Sequence, residues 1–400
     1  PLEIADGQAT ISWLNNDKGF QLDGRNIDVK AKAVHARGGF RYLQPANDEP
    51  WLGILAGIST DDGSQAWRYF PENLMGKDLV DYLSGAIQGG EADNATLVYG
   101  GNPQLFPYKH NEGQFEVLVP LRNAKFAFQP DWPALTNLDI ELDFINDGLW
   151  MKTDGVNLGG VRASNLTAVI PDYSKEKLLI DADIKGPGKA VGPYFDETPL
   201  KDSLGATLQE LKLDGDVNAR LHLDIPLNGE LVTAKGEVTL RNNSLFIKPL
   251  DSTLKNLSGK FSFINGDLQS EPLTASWFNQ PLNVDFSTKE GAKAYQVAVN
   301  LNGNWQPAKI GFLPAAVNEA LSGSVAWDGK VGIELPYHAG ATYNVELNGD
   351  LKNVSSHLPS PLAKPAGEPL PVNVKVDGNL NSFELTGQAG ADNHFNSRWL

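Results

Sequence analysis

The stretch FAFQPDWPALTNLDIELDFINDGL, Phe126–Leu149, returns at Leu245–Leu268 as LFIKPLDSTLKNLSGKFSFINGDL. Corresponding positions are 119 residues apart (245 minus 126), and the 24 positions align without a gap. Eight pairs are identical: Pro130/Pro249, Leu135/Leu254, Asn137/Asn256, Leu138/Leu257, Phe144/Phe263, Ile145/Ile264, Asn146/Asn265 and Leu149/Leu268. One supersecondary unit used twice indicates an architecture of stacked repeats.

The repeated unit reads as strand, loop, strand, tight turn and strand. In Leu138–Phe144 every second residue is apolar, and the residues between are Asp139, Glu141 and Asp143. This period of two predicts a strand with one apolar and one acidic face. Asn146-Asp147-Gly148 and Asn265-Gly266 follow, and such residues favour hairpin turns because they accept a positive φ at low cost.

Composition limits the possible partners. The formal net charge of −16 disfavours nucleic acid, whose phosphates an acidic protein repels. The absence of cysteine excludes disulfides, thiol nucleophiles and cysteine metal sites.

The longest apolar run, Trp51–Ile58, is much shorter than the ~20 residues of a membrane helix. The chain starts at Pro1 without a signal peptide and ends at Trp399-Leu400, so we expect it to be part of a longer protein.

Outside the repeat, alternating segments predict about twenty strands and three short helices. The helices are expected at Leu74–Ile87, Glu197–Leu211 and Leu313–Leu321. Trp51–Ser59 is continuously apolar and predicts a buried strand. The fold class is therefore mainly β and antiparallel, with one apolar face per strand that a sandwich, a barrel or a folded-over sheet could bury.

Catalytic and metal-binding patterns are missing from the sequence. The six histidines never fall at metal-ligand spacing, and there is no Gly-x-Ser-x-Gly elbow or Gly-Lys-Ser/Thr phosphate loop. The acidic pairs Asp181/Asp183 and Asp214/Asp216 fit solvated strand faces. We therefore expect no enzyme, no cofactor and no metal site.

What remains as a candidate site is the apolar face itself. About twenty strands spaced at about 4.8 Å would make a sheet on the order of 95 Å long, too long for three short helices to cover. Such a sheet closes into a barrel, stacks on itself or curls around something apolar. The period of two places these residues on the inner face: Leu138, Ile140, Leu142, Phe144, Val217, Ala219, Leu221, Leu223, Ile225, Phe261, Phe263, Val297, Val299, Leu301, Val345 and Leu347.

Several segments resemble a known family. They are Phe106–Tyr108 with Gly113–Phe115, Pro130-Asp131-Trp132-Pro133 with LTNLDIELDF, Gly159-Gly160-Val161 through Ala168–Asp172, and LKNLSGKFSFINGDL with SWFNQPLNV. In this order they resemble the AsmA-like envelope proteins of Gram-negative bacteria, a bridge-like family of lipid transporters with a repeating β-groove. The resemblance extends over nearly the whole chain.

The resemblance implies an elongated, curled antiparallel β-groove with a few short helices, in a periplasmic protein anchored in the inner membrane by a segment outside this chain. It implies that phospholipids pass between the inner and outer membranes, with their acyl chains on the inner-face residues given above, and that outer-membrane integrity depends on this transport. The segments expected are 1–125, a β segment with one helix; 126–244, a first groove repeat with one helix; 245–356, a second repeat; and 357–400, a proline-rich connector leading into the next unit.

Three other interpretations remain, and one of them is an enzyme with paired acidic residues, which require only spatial proximity. A structural module of the cell envelope could pack the same apolar face on itself and hold no lipid. An outer-membrane barrel would turn the face outward, but interior prolines, short strands and helices disfavour it.

Overall fold

The computed structural model describes residues 4–70, 72–128, 130–199, 201, 205–228, 230–248, 251–311, 313–360, 362–379 and 381–399. Within these ranges the chain forms 25 strands, of which 23 belong to one antiparallel sheet and two to a small separate sheet. Helices are few and short. The prediction of a mainly β, antiparallel fold is confirmed.

The strands follow one another closely along the chain. The first ten are β1 Ile4–Asn16, β2 Gly19–Ala31, β3 His35–Pro45, β4 Trp51–Thr60, β5 Ile87–Gly101, β6 Gln114–Phe126, β7 Leu135–Ile145, β8 Gly148–Leu158, β9 Val161–Ile170 and β10 Lys177–Pro187. The next eight are β11 Leu211–Asp214, β12 Asp216–Pro226, β13 Thr233–Ile247, β14 Ser252–Ile264, β15 Asp267–Ser270, β16 Leu273–Trp277, β17 Gln280–Glu290 and β18 Ala294–Trp305. The last seven are β19 Leu321–Gly323, β20 Val325–Pro336, β21 Thr342–Asp350, β22 Val354–Ser356, β23 Pro371–Asn379, β24 Phe383–Ala389 and β25 Asn393–Trp399.

Strand pairing is almost entirely between sequence neighbours. Strands β1 to β8 pair consecutively and antiparallel. Strand β10 pairs with β9 and β12. From β13 the order continues through β14, β16, β17, β18, β20, β21, β23, β24 and β25, while β19 and β22 form the small sheet.

In the part of the chain that the structure describes, five short α-helices interrupt the strands: α1 Glu72–Met75, α2 Lys77–Ala86, α3 Val191–Phe195, α4 Ala206–Glu210 and α5 Ala315–Ala320. The helix expected at 74–87 is present but divided at Gly76, where a φ of 83° breaks the helical backbone. The third expected helix is confirmed as α5.

The helix predicted over Glu197–Leu211 is confirmed only in its C-terminal part, where α4 spans Ala206–Glu210. Its first residues form turns instead, in which the Thr198 backbone N–H and hydroxyl both donate to Phe195 O. Its last residue, Leu211, opens strand β11 and pairs with Ile247. Pairing of Leu211 with a strand from far along the chain outweighs local helix propensity here. Residues 200 and 202–204 lie outside the described ranges.

The chain divides into two compact units. The first contains residues up to 158, 162–184 and 220–234; the second contains 159–161, 185–219 and the residues from 235 onward. The core of the first unit combines α2 with β6–β10 and the end of β12, and its fully buried members include Leu83, Leu138, Leu149 and Leu178. The core of the second unit is smaller and lies on β13–β18, around Leu257, Leu273 and Leu282.

The internal repeat is reproduced in strand register. Leu121 opposes Ile140 and Ala124 opposes Leu138 in β6–β7, and β13–β14 repeats both pairs 119 residues later as Leu240–Gly259 and Asn243–Leu257. Both hairpins carry register shifts at the same two places. Asparagines adopt a left-handed φ of 51–55° at three equivalent pairs of positions: Asn123/Asn242, Asn137/Asn256 and Asn146/Asn265. The repeat therefore specifies bulges and turns as well as apolar spacing.

Strand β4 forms as expected over the apolar run Trp51–Ser59, but the expectation that it is buried is wrong. None of its ten residues is buried; Trp51 is 41% exposed and Leu55 63%. No residue of this strand belongs to the buried core of the first unit, which includes α2.

Candidate functional site

Strand register in the second unit aligns apolar residues in rows across the sheet. Directly opposed residues of antiparallel strands share a face. The central row runs across β17, β18, β20, β21, β23 and β24 and consists of Phe286, Val299, Val331, Val345, Val376 and Leu385. One flanking row consists of Val284, Leu301, Gly329, Leu347, Val374, Gly387 and Phe395. The other consists of Thr288, Val297, Ile333, Tyr343, Gly378, Phe383 and Trp399.

The burial of this apolar face decreases from β18 to β25. Leu301 and Val297 on β18 are buried in the core of the second unit. The same rows are half-buried on β20–β24, and on β25 Phe395 is 44% exposed and Trp399 61%. The residues between the rows are polar, since Asn300, Lys330, Glu346, Lys375 and Thr386 oppose one another on the other face. The second unit thus carries an apolar sheet face without a complete cover.

The first unit has the same arrangement. One row links Ile11, Gly24, Phe40, Ile54, Tyr99 and Phe115 from β1 to β6. Another links Ile27, Gly38, Ala56, Leu97, Val117, Phe144 and Leu149 from β2 to β8. Cover is complete at β7–β8 and absent at β1, where Trp13 is 71% exposed.

Helix α2 shares the buried core of the first unit with β7. Leu79 and Leu83 are buried in the same cluster as Leu142, and the Phe70 ring lies 6.0 Å from that of Phe144. The Tyr82 hydroxyl anchors the helix by donating to Phe128 O at 3.3 Å. The apolar stripe of the predicted amphipathic helix therefore packs on the sheet as expected.

We refer to the rows in the two units as the apolar faces. All sixteen predicted lining residues lie on an apolar side, and none is exposed. Half of them are buried: Leu138, Ile140, Leu142, Phe144, Leu223, Ile225, Val297 and Leu301. The other half are partly buried: Val217, Ala219, Leu221, Phe261, Phe263, Val299, Val345 and Leu347. The partly buried members of the rows are the ones that a ligand could reach.

The acidic residues of β7 occupy the opposite face, which fits the predicted phase. Asp139 is exposed, and Glu141 pairs with Lys152 at 2.8 Å. Asp143 is partly buried, and its Oδ1 atom has no hydrogen-bond partner among the described residues. Desolvation raises the pKa of Asp143, and the charges of Glu116 and Glu141 raise it further.

Sequence reasoning missed the most accessible parts of the apolar faces. They are the rows on β1–β5 and the row residues of β20–β25 other than Val345 and Leu347. Alternation was visible at Ile11, Trp13, Phe20 and Leu22, but alternation alone does not tell which strands a helix will cover. Register and burial, which depend on residues distant in sequence, make this distinction.

Other kinds of site find no support in the described part of the chain. No group of three His, Asp or Glu side chains there could hold a metal ion. None of the helices in those ranges has the length and apolar character to span a membrane.

Comparison with known proteins places the chain in a family. A family model described as "YhdP protein" matches residues 1–400. The chain belongs to the YhdP protein family. The AsmA-like resemblance noted from its motifs agrees with this assignment.

A curated relative of this family is nearly identical to the chain. It is the "Intermembrane phospholipid transporter YhdP" of Escherichia coli (strain K12), which is 98% identical over 400 residues. The match covers 100% of this chain and 32% of the relative, so the chain spans about a third of that protein's length. No solved structure matches the chain.

Proposed function

We propose that the chain is a segment of a periplasmic bridge that conducts phospholipids between the inner and outer membranes, with acyl chains on its apolar faces. The relative's name, an intermembrane phospholipid transporter, supports the substrate and the setting. An anchor in the inner membrane belongs to the same proposal and would lie in another part of the protein.

The observation that carries the proposal is the incomplete cover over the rows of β20–β24. The central row aligns Val, Leu and Phe side chains of six strands, from β17 to β24, and polar residues occupy the other face. Burial of a methylene group yields about 0.8 kcal/mol. The composition of the row is similar from strand to strand, so the binding energy of an acyl chain is nearly constant along it. The chain can therefore move along the row without meeting a site that traps it.

We further propose that the two copies of the repeat act as successive segments of one path. The segments 126–244 and 245–356 each begin at the shared hairpin, with 1–125 before them and 357–400 after them. No catalytic step is needed for such transport, and we propose that this segment acts by binding alone. Lipid transport by the whole protein would then support the integrity of the outer membrane.

Native mass spectrometry of the purified chain tests the proposal. We expect phospholipid to co-purify and to be displaced by added phospholipid of a different mass. Lipid-free protein that takes up no added phospholipid would contradict the proposal and favour the structural module with a self-packed core. The headgroups of the lipids recovered would show whether the faces select among phospholipids.

A further inference from the structure

The helical segment between β4 and β5 lies against the apolar side of the sheet. It consists of a 3₁₀ helix, Gly63–Tyr69, followed by α1 and α2. A Cβ built on Gly63 would lie 3.4 Å from Leu121 Cδ1 of β6, and the Phe70 ring lies 6.0 Å from that of Phe144 on β7. Leu121 and Phe144 are both buried in the core of the first unit. We refer to residues 63–70 together with α1 and α2 as the helical lid.

Apolar side chains of the lid occupy surface on which an acyl chain could lie. Leu79 and Leu83 of α2 are at most 1% exposed, and they share their core with Phe144. Phe144 belongs to the row that starts at Ile27, and this row is only partly buried on β2–β4. Leucine side chains and methylene groups gain similar free energy per unit of apolar area buried. An acyl chain can therefore replace the lid without leaving the apolar surface in water.

Polar contacts attach α2 near its C-terminal end to the residues that follow β6. The Tyr82 hydroxyl donates to Phe128 O at 3.3 Å, and the Ala127 N–H donates to Ala86 O at 2.8 Å. At the other end, Gly76 precedes α2 and has no side chain to cap it. A helix of ten residues is marginal alone in water, so the position of α2 depends on its apolar contacts.

The backbone is irregular where the lid rejoins the sheet. Between Ile87 and Thr96 the pairing of β5 with β6 shifts register three times. Gly89 and Gly90 lie in this stretch, and Gly90 has a φ of 127°, a conformation that favours glycine. Such a stretch can absorb the changes in φ and ψ that a hinge requires.

The second unit contains the same kind of insertion in a less buried form. Helix α5 lies between β18 and β20, which pair with each other as β4 and β5 do. Leu83-Ser84-Gly85 of α2 returns directly after α5 as Leu321-Ser322-Gly323, 238 residues later (321 minus 83), which is twice the repeat spacing of 119. Leu79 and Leu83 of α2 are buried, whereas no residue of α5 is. The insertion therefore belongs to the repeat, and its burial differs between the two copies.

We propose that the helical lid is displaceable: it lies on the apolar face in the absence of lipid and moves off β6–β7 when an acyl chain takes its place. The proposal rests on the proposed function and adds regulation of the same path. The closed lid keeps the apolar surface of β6–β7 out of water, and opening joins this surface to the partly buried rows of the preceding strands. Glu72, Lys77 and Asp81 of the lid are exposed when it is closed, so opening requires no burial of their charges.

Cysteine reactivity tests the opening, because the unchanged chain contains no cysteine. Ala86→Cys on α2 and Ala163→Cys on β9 are matched, since each alanine is 1% exposed in the same core. The rate of modification by N-ethylmaleimide is measured with and without dioctanoyl phosphatidylcholine below its micellar concentration, and native mass spectrometry counts the bound lipid. We expect lipid to accelerate modification of Ala86→Cys at least fivefold and to leave that of Ala163→Cys unchanged.

The outcomes separate the lid from the proposed function. Equal acceleration in the two variants would show that the whole core loosens and would overturn the lid. Bound lipid without acceleration in Ala86→Cys would overturn the lid and leave the proposed function intact, whereas a chain that binds no lipid would overturn both.

Hydrogen exchange of the unchanged chain gives a readout that no substitution can disturb. A displaced α2 loses the contacts that stabilise it, so we expect lipid to accelerate exchange of its amides at least fivefold and to leave exchange in β9 unchanged. Slower exchange in α2 would show that lipid holds the helix in place, and it would overturn the proposal.

A reversible bridge tests whether opening is required for binding. Tyr82→Cys/Phe128→Cys, joined by a bis-methanethiosulfonate reagent, ties α2 to the residues after β6. We expect the bridge to lower the number of lipids bound per chain at least twofold and reductive cleavage to restore it. Asn300→Cys/Lys330→Cys is the control, since it joins opposed, exposed residues on the polar face of β18 and β20. Equal lipid content in the two bridged chains would overturn the proposal.

Discussion

The Asp139 carboxylate accepts a hydrogen bond from the backbone N–H of Asn123 at 3.1 Å. The second copy of the repeat reproduces this bond, because the Asn242 N–H donates to Ser258 Oγ at 2.8 Å. In both copies the donor has a left-handed backbone conformation at a bulge, where the regular ladder cannot satisfy its N–H. The side chain changes from Asp to Ser, but the acceptor is retained.

We expect Asp139→Ser to leave the free energy of unfolding within about 0.5 kcal/mol of its original value, since serine supplies the same acceptor in the second copy. Asp139→Ala removes the acceptor and should cost about 1 kcal/mol. Denaturant titration followed by tryptophan fluorescence measures both. An equal effect of the two substitutions would show that the carboxylate is not acting as an acceptor for the bulge.

The sequence predicts this hairpin well because its signals are local. Alternation, the turn at Asn146 and the repeat spacing all lie within one stretch, and the structure agrees with each of them. Leu121-Arg122-Asn123 and Leu240-Arg241-Asn242 show that the repeat begins earlier than the 24 aligned positions. The two bulges in each hairpin could have been located from this longer match.

Features that depend on distant residues were not predictable in the same way. Trp51–Ser59 has the composition of a core strand, yet none of its residues joins the core of the first unit. Leu211 ends a stretch with helical apolar spacing, but its pairing with Ile247 makes it the first residue of strand β11. Sequence spacing alone contains none of these pairings.

Tyr295 should stabilise the turn of the second repeat. It is fully buried, and its hydroxyl lies 2.7 Å from both Gly266 O and Thr288 Oγ1. Tyr295→Phe leaves these partners without the hydroxyl, so we expect a loss of about 1–3 kcal/mol in the free energy of unfolding. Tyr337→Phe is the control, since its hydroxyl makes a comparable bond to Gly291 O at an exposed site and should matter less. Equal losses in the two variants, measured by denaturant titration, would contradict the role assigned to burial.

Asp143 should destabilise the fold at neutral pH. Its folded-state pKa is raised, mainly by desolvation and further by Glu116 and Glu141. The folded state therefore holds the proton more tightly than the unfolded state, and the associated stability is lost as pH rises through the folded-state pKa. We expect Asp143→Asn to raise the melting temperature at pH 7 and to give a smaller gain as pH falls below the ordinary aspartate range. A gain that is independent of pH would show that charge is not the cause.

A charge placed on an uncovered row should abolish lipid binding without unfolding the chain. Val345 is partly buried in the central row, so in Val345→Asp the new carboxylate can reach water, and we expect a modest fall in melting temperature with loss of co-purified phospholipid. Leu142 is 2% exposed in the core that also contains α2, and Leu142→Asp should unfold the first unit, because an unpaired buried charge costs several kcal/mol. Thr386→Asp adds the same charge on the polar face opposite Lys375 and should change neither quantity.

Thermal melting and native mass spectrometry of the three variants give the comparison. Unfolding of Val345→Asp to the same degree as Leu142→Asp would mean that the row is sealed within a core, and normal lipid content in a folded Val345→Asp would exclude the row from the lipid path.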